Sequence, residues 1–149
     1  MSKTRGRRIG RDRQDGAVAV EFALVASFVL LPILAGVIQF GISFSQLQVY
    51  QGAAREGARC AAVQAAEAAA GLPVCSITGA IADHLGTYDP PTDVTITVGG
   101  VSSPSGCTAE DIGKEVTVGW DQAFDLTLTK FLPLPDTVHS AIDGTFRCE

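Results

Sequence analysis

From Phe22 to Ala54 the chain runs for 33 residues without a single charged side chain. A water-soluble domain carries roughly one charged residue in four, so a gap of this length restricts the chain more than any other feature. The first part of it, Phe22–Phe44, reads FALVASFVLLPILAGVIQFGISF. At about 1.5 Å per residue such a segment reaches roughly 35 Å as a helix, enough to cross a ~30 Å hydrocarbon core with some tilt. Lipid offers the backbone no hydrogen-bond partner, so a lone span has to be helical. Pro32 and Gly36 sit inside it. Pro32 removes one i→i−4 bond and predicts a bend, or helix kink, near residues 28–31.

The charges on either side orient the span. Residues 1–15 hold Lys3, Arg5, Arg7, Arg8, Arg11 and Arg13 against Asp12 and Asp15, whereas the rest of the chain is strongly acidic and brings the whole to a net −5. Basic flanks stay on the cytoplasmic side, which puts the N-terminus inside and the C-terminus outside. No aromatic residues interleave the basic run, and it abuts a membrane span, so it does not read as a nucleic-acid contact. The chain is 46% hydrophobic and 18% charged, with a mean hydropathy of +0.25. That composition excludes a disordered polyelectrolyte.

Cys60, Cys75, Cys107 and Cys148 all follow the span, on the oxidising side of this topology. An even number of cysteines there implies two disulfides, with three possible connectivities. The favoured pairing is Cys60–Cys75 with Cys107–Cys148. The first of these requires a sharp chain reversal or an early helix end, because about 15 Å of helix would separate Cys60 from Ala70. No C-x₂-C or H-x₃-H spacing supports a metal site with His84 or His139, and Asp89, Asp93, Asp111 and Asp121 lack calcium-loop spacing. No nucleophile motif, phosphate loop or carboxylate pair stands out, so the expectation is a non-catalytic chain without cofactor or metal.

The helical pattern continues beyond the span. Residues 45–70 are rich in Ala, Gln, Glu and Arg, all good helix formers. Leu47, Tyr50, Ala54, Ala58 and Ala61 share one stripe, and Gly71 followed by Pro73 is a stop signal. The small residues at 52, 53, 54, 57 and 58 would allow close approach to another helix or to a sheet. Arg55, Glu56 and Arg59 read first as a solvated face with weak local ion pairs, and a partner-contact patch is the competing reading. Farther on, residues 76–85 suit a short helix ended by Gly86. Residues 93–99 (DVTITVG) and 115–120 (EVTVGW) alternate as strands. Gly99-Gly100 and residues 102–106 mark a loop. Residues 124–131 fit a strand or an extended loop equally well, and residues 140–148 form the last strand. The fold class expected is α+β, a long N-terminal transmembrane helix that extends outside the membrane and carries a small antiparallel sheet.

Two motifs resemble a known family. Gly16 followed by AVAVEF resembles the prepilin-peptidase site of type IV pilin-like proteins, where cutting follows the Gly and the fifth mature residue is Glu. Residues 51–62 (QGAAREGARCAA) resemble the signature of TadE-like proteins, the pseudopilins of tight-adherence (Tad, Flp, type IVc) pilus systems. The family signature falls on Ala53, Ala54, Arg55, Glu56, Gly57, Ala58 and Arg59. The resemblance implies cleavage between Gly16 and Ala17, and it makes Glu21, followed by Phe22, the subunit-registering carboxylate that pairs with a neighbour's N-terminal amine. Glu21 as an interfacial group favoured by the helix N-terminus is the plainer alternative.

The domain organisation expected is a basic cytoplasmic leader at 1–16, a long helix at 17–70 with about 22–44 in the membrane, and an extracytoplasmic α+β domain at 71–149. By resemblance the chain is a structural, non-catalytic minor pilin or pseudopilin acting in assembly of a type IVc pilus, single-pass in a bacterial cell membrane, with entry into the fibre, capping of it and retention in the membrane all left open. Its partners would be a prepilin peptidase, other pilins or pseudopilins of the Tad system, the inner-membrane pilus assembly platform and the lipid bilayer, with no nucleic acid. A membrane-anchored outer binding domain that never polymerises is the alternative.

Overall fold

The structure is a computed structural model that describes residues 11–126 and 137–149. It bears out the α+β expectation. The elements in order are α1 (Arg11–Val25), a π-helical turn (Ala26–Leu30), α2 (Leu31–Ala69), α3 (Ile77–Leu85), β1 (Thr95–Val98), β2 (Val101–Ser102), a 3-10 turn (Ala109–Asp111), β3 (Glu115–Asp125) and β4 (Thr137–Arg147). They divide into two compact units, one ending at Phe40 and the other covering Gly41–Glu149.

The described residues of the first unit are helical, and none of residues 16–40 is buried. Its large apolar side chains point outward, with Phe22 71%, Phe28 78% and Phe40 71% exposed. Gly16–Ala69 is long and apolar enough to cross a membrane. The helix is interrupted just before Pro32, by the π-helical turn at Ala26–Leu30. Pro32 has no N–H for the carbonyl four residues back, and its ring crowds that carbonyl. The backbone widens there, and Leu31 N–H donates to the carbonyl of Ala26, five residues back. Ser27 Oγ donates to the Ala23 carbonyl at 2.8 Å, which leaves no bare hydroxyl among apolar neighbours.

The second unit is a four-stranded antiparallel sheet of order β2-β1-β3-β4, with the outer part of α2 and α3 packed on one face. β3 and β4 pair without interruption from Glu115↔Arg147 to Asp125↔Thr137. Val116, Val118, Trp120 and Phe124 alternate onto the inner face, joined by Ile96 and Val98 of β1 and Ile142 of β4. Gly99 and Gly100 both have positive φ (58° and 83°), the backbone of a primed two-residue hairpin turn. They therefore join strands where a loop is expected: Val101 and Ser102 pair with Val98 and Thr97. β1 is shorter than the expected 93–99, and β3 extends past Trp120 to Asp125. The rest of the segment expected as strand or loop, residues 127–131, lies outside the described residues. β4 begins at Thr137, ahead of the expected residue 140, because Val138 pairs with Phe124.

Helix α2 seats on this sheet through small residues. Ala53, Ala54, Ala58 and Ala61 are each 0% exposed. The closest approach is at Gly144 in β4, where an added Cβ would lie 2.5 Å from the backbone of Ala54 and Arg55. A glycine inside a strand often marks such an approach. Gly57 does the same from the helix side, since a Cβ there would meet Ile81 at 2.8 Å and Val118 at 3.4 Å.

Asp111 closes a small turn the sequence reading missed. Its carboxylate accepts from the Thr108 N–H and hydroxyl and from Lys114 Nζ at 2.8 Å. Those hydrogen bonds, Lys114 first, hold its pKa down to about 2. A carboxyl with a lowered folded pKa adds stability that is present above its ordinary value of 3.8 and is lost as pH falls toward about 2.

Two outcomes are expected. Thermal unfolding of the full chain in detergent should show Gly144→Ala destabilised by about 3 kcal/mol, while Gly41→Ala, with open space at its Cβ, changes stability by no more than about 1 kcal/mol. In a pH series, Asp111→Asn should flatten the loss of stability between pH 4 and pH 2 that the parent chain shows.

Candidate functional site

No described group of three or more His, Cys, Asp and Glu side chains comes together as a metal site. The residues singled out in the sequence divide into three groups.

The first group is at the start. Gly16 and Ala17 lie within α1 and are exposed, as are Glu21 and Phe22. Ala17 and Glu21 are four residues apart on one helix, so they stack one turn apart on the same face. Among the described residues Glu21 makes no ion pair, and it stands at the edge of an uncharged, largely apolar surface. The chemistry available here is a carboxylate one turn from a potential chain terminus. Pro32, the second residue of α2, follows the π turn.

The second group is the signature block, and the fold splits it by side-chain size. Ala53, Ala54, Gly57 and Ala58 are buried. Arg55 and Arg59 are exposed, and Glu56 is half-buried. Arg59 and Glu56 approach to 4.0 Å with mostly solvated side chains, a pair worth little at such exposure. Gly52 faces α3, where an added Cβ would lie 2.6 Å from His84 Nε2. His84 is therefore a packing neighbour of the helix. Within the chain the block works as a seat: its small members admit Ile81, Val118 and Gly144 to the helix surface, and its charged members stay in water. Sequence reasoning missed these three partners, although Gly144 inside a strand pattern is a readable signal of close backbone approach.

The third group is the cysteines. Cys60 bonds Cys75 with 5.7 Å between Cα atoms, and Cys107 bonds Cys148 with 5.8 Å. The reversal that the first bridge needs is made just after α2. Gly71 at φ 65° lets Leu72 N–H reach the Glu67 carbonyl and Gly71 N–H reach the Ala68 carbonyl, the bonding of a glycine-ended helix. Two side chains of α2 then fasten the returning strand. The Glu67 carboxylate accepts from Cys75 N–H at 2.8 Å, and Gln64 Nε2 donates to the Cys75 carbonyl at 3.1 Å. The second bridge lands on the same turns: Cys107 N–H donates to the Ala61 carbonyl and Glu149 N–H to the Ala62 carbonyl. Residues 60–67 of α2 thus carry one bridge directly and fasten Cys75, Cys107 and Glu149, beside the two bridges, through four hydrogen bonds. Gln64 and Glu67 carried no sequence signal of this role, because a polar residue on a helix face is ordinarily solvated.

Loop length sets the expected cost of losing each bridge. Replacing Cys60 and Cys75 by Ser opens a closure of 15 residues and should cost about 3 kcal/mol, and replacing Cys107 and Cys148 opens one of 41 residues and should cost about 4 kcal/mol. Denaturant titration of the two double variants, with thiol counting of the parent chain under non-reducing conditions, measures both.

Residues 16–59 match the family model described as TadE-like protein. No curated protein and no solved structure matches the chain.

Proposed function

We propose that this chain, TadE-like over residues 16–59, is a minor pilin or pseudopilin that acts in assembly of a type IVc (tight-adherence) pilus and does no catalysis of its own. The observation that carries the reading is the extent of the family match. It opens at Gly16, takes in Glu21 and the apolar span, and closes at Arg59 at the end of the signature block. These are the parts that a leader-processed, membrane-stored subunit uses, whereas the outer domain lies almost wholly beyond the match.

The mechanism follows from the chemistry of those parts. Residues 1–16 hold the N-terminus on the cytoplasmic side until a prepilin peptidase cuts between Gly16 and Ala17. The cut removes the basic residues and leaves a free α-amine one helical turn from Glu21. A carboxylate moved from the membrane edge toward the apolar interior costs several kcal/mol unless it is paired. The α-amine of a neighbouring subunit supplies the pair and, by doing so, sets the register between helices. The exposed apolar surface of residues 18–40 suits either of two environments, acyl chains before assembly and other helices after it. Residues 71–149, held outside, would be the part presented to the assembly platform and to sister pilins.

The test joins processing to assembly. N-terminal sequencing of the membrane-extracted chain, from cells with an active prepilin peptidase, should begin at Ala17. Glu21→Ala should still be cut but should lower pilus output at least tenfold. An intact Met1, or normal pili from the Glu21→Ala strain, would favour an anchored binding domain that never polymerises.

A further inference from the structure

The outer unit holds a feature that neither the disulfide clamp nor the helix seat uses. Tyr50 of α2 is the hub of an aromatic group: its ring centroid lies 6.0 Å from Tyr88, 5.8 Å from Phe124 and 6.5 Å from Trp120. The interplanar angles of 59° to 78° mean that the rings do not stack flat and hide each other's faces. Tyr50, Tyr88 and Phe124 line a cavity of about 300 Å³ that opens to solvent, a size at the lower end for small-ligand sites. Asp89 and Asp125 also line it, both exposed, and no Lys, Arg or His is among its described lining residues.

Two polar side chains of the wall, Gln122 and Tyr50, are already committed. Gln122 accepts from Trp120 Nε1 at 3.2 Å and donates to the Ala123 carbonyl at 3.2 Å. The Tyr50 hydroxyl donates to the Asp89 carbonyl. Burial first, then the Asp89 charge and Tyr88, pushes the Tyr50 phenol above its ordinary pKa. Tyr50 therefore stays neutral at physiological pH and presents its ring rather than a phenolate.

We propose that this cavity binds an alkylammonium group, with the methylene stem against Tyr50, Tyr88 and Phe124 and the charged head between the Asp89 and Asp125 carboxylates. Aromatic faces attract cations electrostatically, and the attraction grows as water is excluded. The two carboxylates supply the counter-charge, and no Lys, Arg or His among the described lining residues offsets them. The stem requirement separates an alkylammonium from ammonium itself. A lysine side chain and a free alkylamine share this chemistry. The site does not depend on leader processing, so it stands or falls apart from the pilus reading.

The test uses the full chain, ¹⁵N-labelled and in detergent micelles, titrated with n-butylammonium and in parallel with neutral n-butanol. The backbone amides of Thr87, Tyr88 and Ala123 should shift with n-butylammonium, saturably, and at least tenfold less with n-butanol. Asp89→Asn with Asp125→Asn should weaken the n-butylammonium response at least tenfold without moving the melting temperature, because both carboxylates are exposed. Competition by Nα-acetyl-lysine amide supports a protein lysine as the source of the group. Its failure to compete, with n-butylammonium still bound, supports a free amine. Equal shifts from the alcohol and the amine, or an unchanged response in the double variant, would overturn the proposal.

Discussion

The outer domain depends on one steric condition: a helix backbone has to lie directly against a strand backbone. At Ala54 and Gly144 the room left is less than one methyl group. The alanines and glycine of residues 53–62 exist in this fold for that contact. Burial of small side chains yields little hydrophobic free energy each, so the seat gains by bringing larger partners together. Ile81, Ile142, Val116 and Val118 are each no more than 1% exposed, and each is worth about 1.5–3 kcal/mol when buried. A larger side chain on either side would hold the helix off the sheet and open voids beside all four. The signature is therefore doubly determined, small where the sheet comes near and charged where it does not.

The two units use the same type of helix in opposite ways. In the outer unit α2 alternates buried small residues with solvated Arg55 and Arg59, and the sheet supplies the cover. Before Phe40 the helix has no cover of its own and leaves its Phe, Leu and Val side chains outside. The π turn belongs to this second regime. There, every backbone and hydroxyl group has to find a partner within the helix itself, as Leu31 does with Ala26 and Ser27 with Ala23. The disulfides belong to the first. A sheet of four strands with one helix and a short second one encloses a thin core, and covalent closures compensate for the area it lacks.

Much of this was legible in the sequence, and the reasons differ from element to element. The uncharged run announced the span because charge is expensive in lipid. TITV and EVTVGW announced β1 and the start of β3 because alternation follows the pleat, and Ser76 and Gly86 bracketed α3 as its two caps. The π turn was legible only as an irregularity near Pro32: a missing N–H says that a bond is lost but not which longer bond replaces it. β2 was hidden because two residues carry no periodicity, and the positive φ of Gly99 and Gly100 gave the turn without the strand. The aromatic cavity was unreadable, since Tyr50, Tyr88 and Phe124 are far apart in sequence and meet only through tertiary packing. Glu67 and Gln64 were hidden for the same reason.

The sheet also fixes the order in which the domain can be completed. Gly144 and Cys148 complete the resting place and the clamp for a helix that is synthesised long before them. Until β4 is made, the small-residue face of that helix stays without its intended cover. The domain therefore closes only when its last strand arrives, and a chain cut short within β4 would strand its earliest outer segment unprotected.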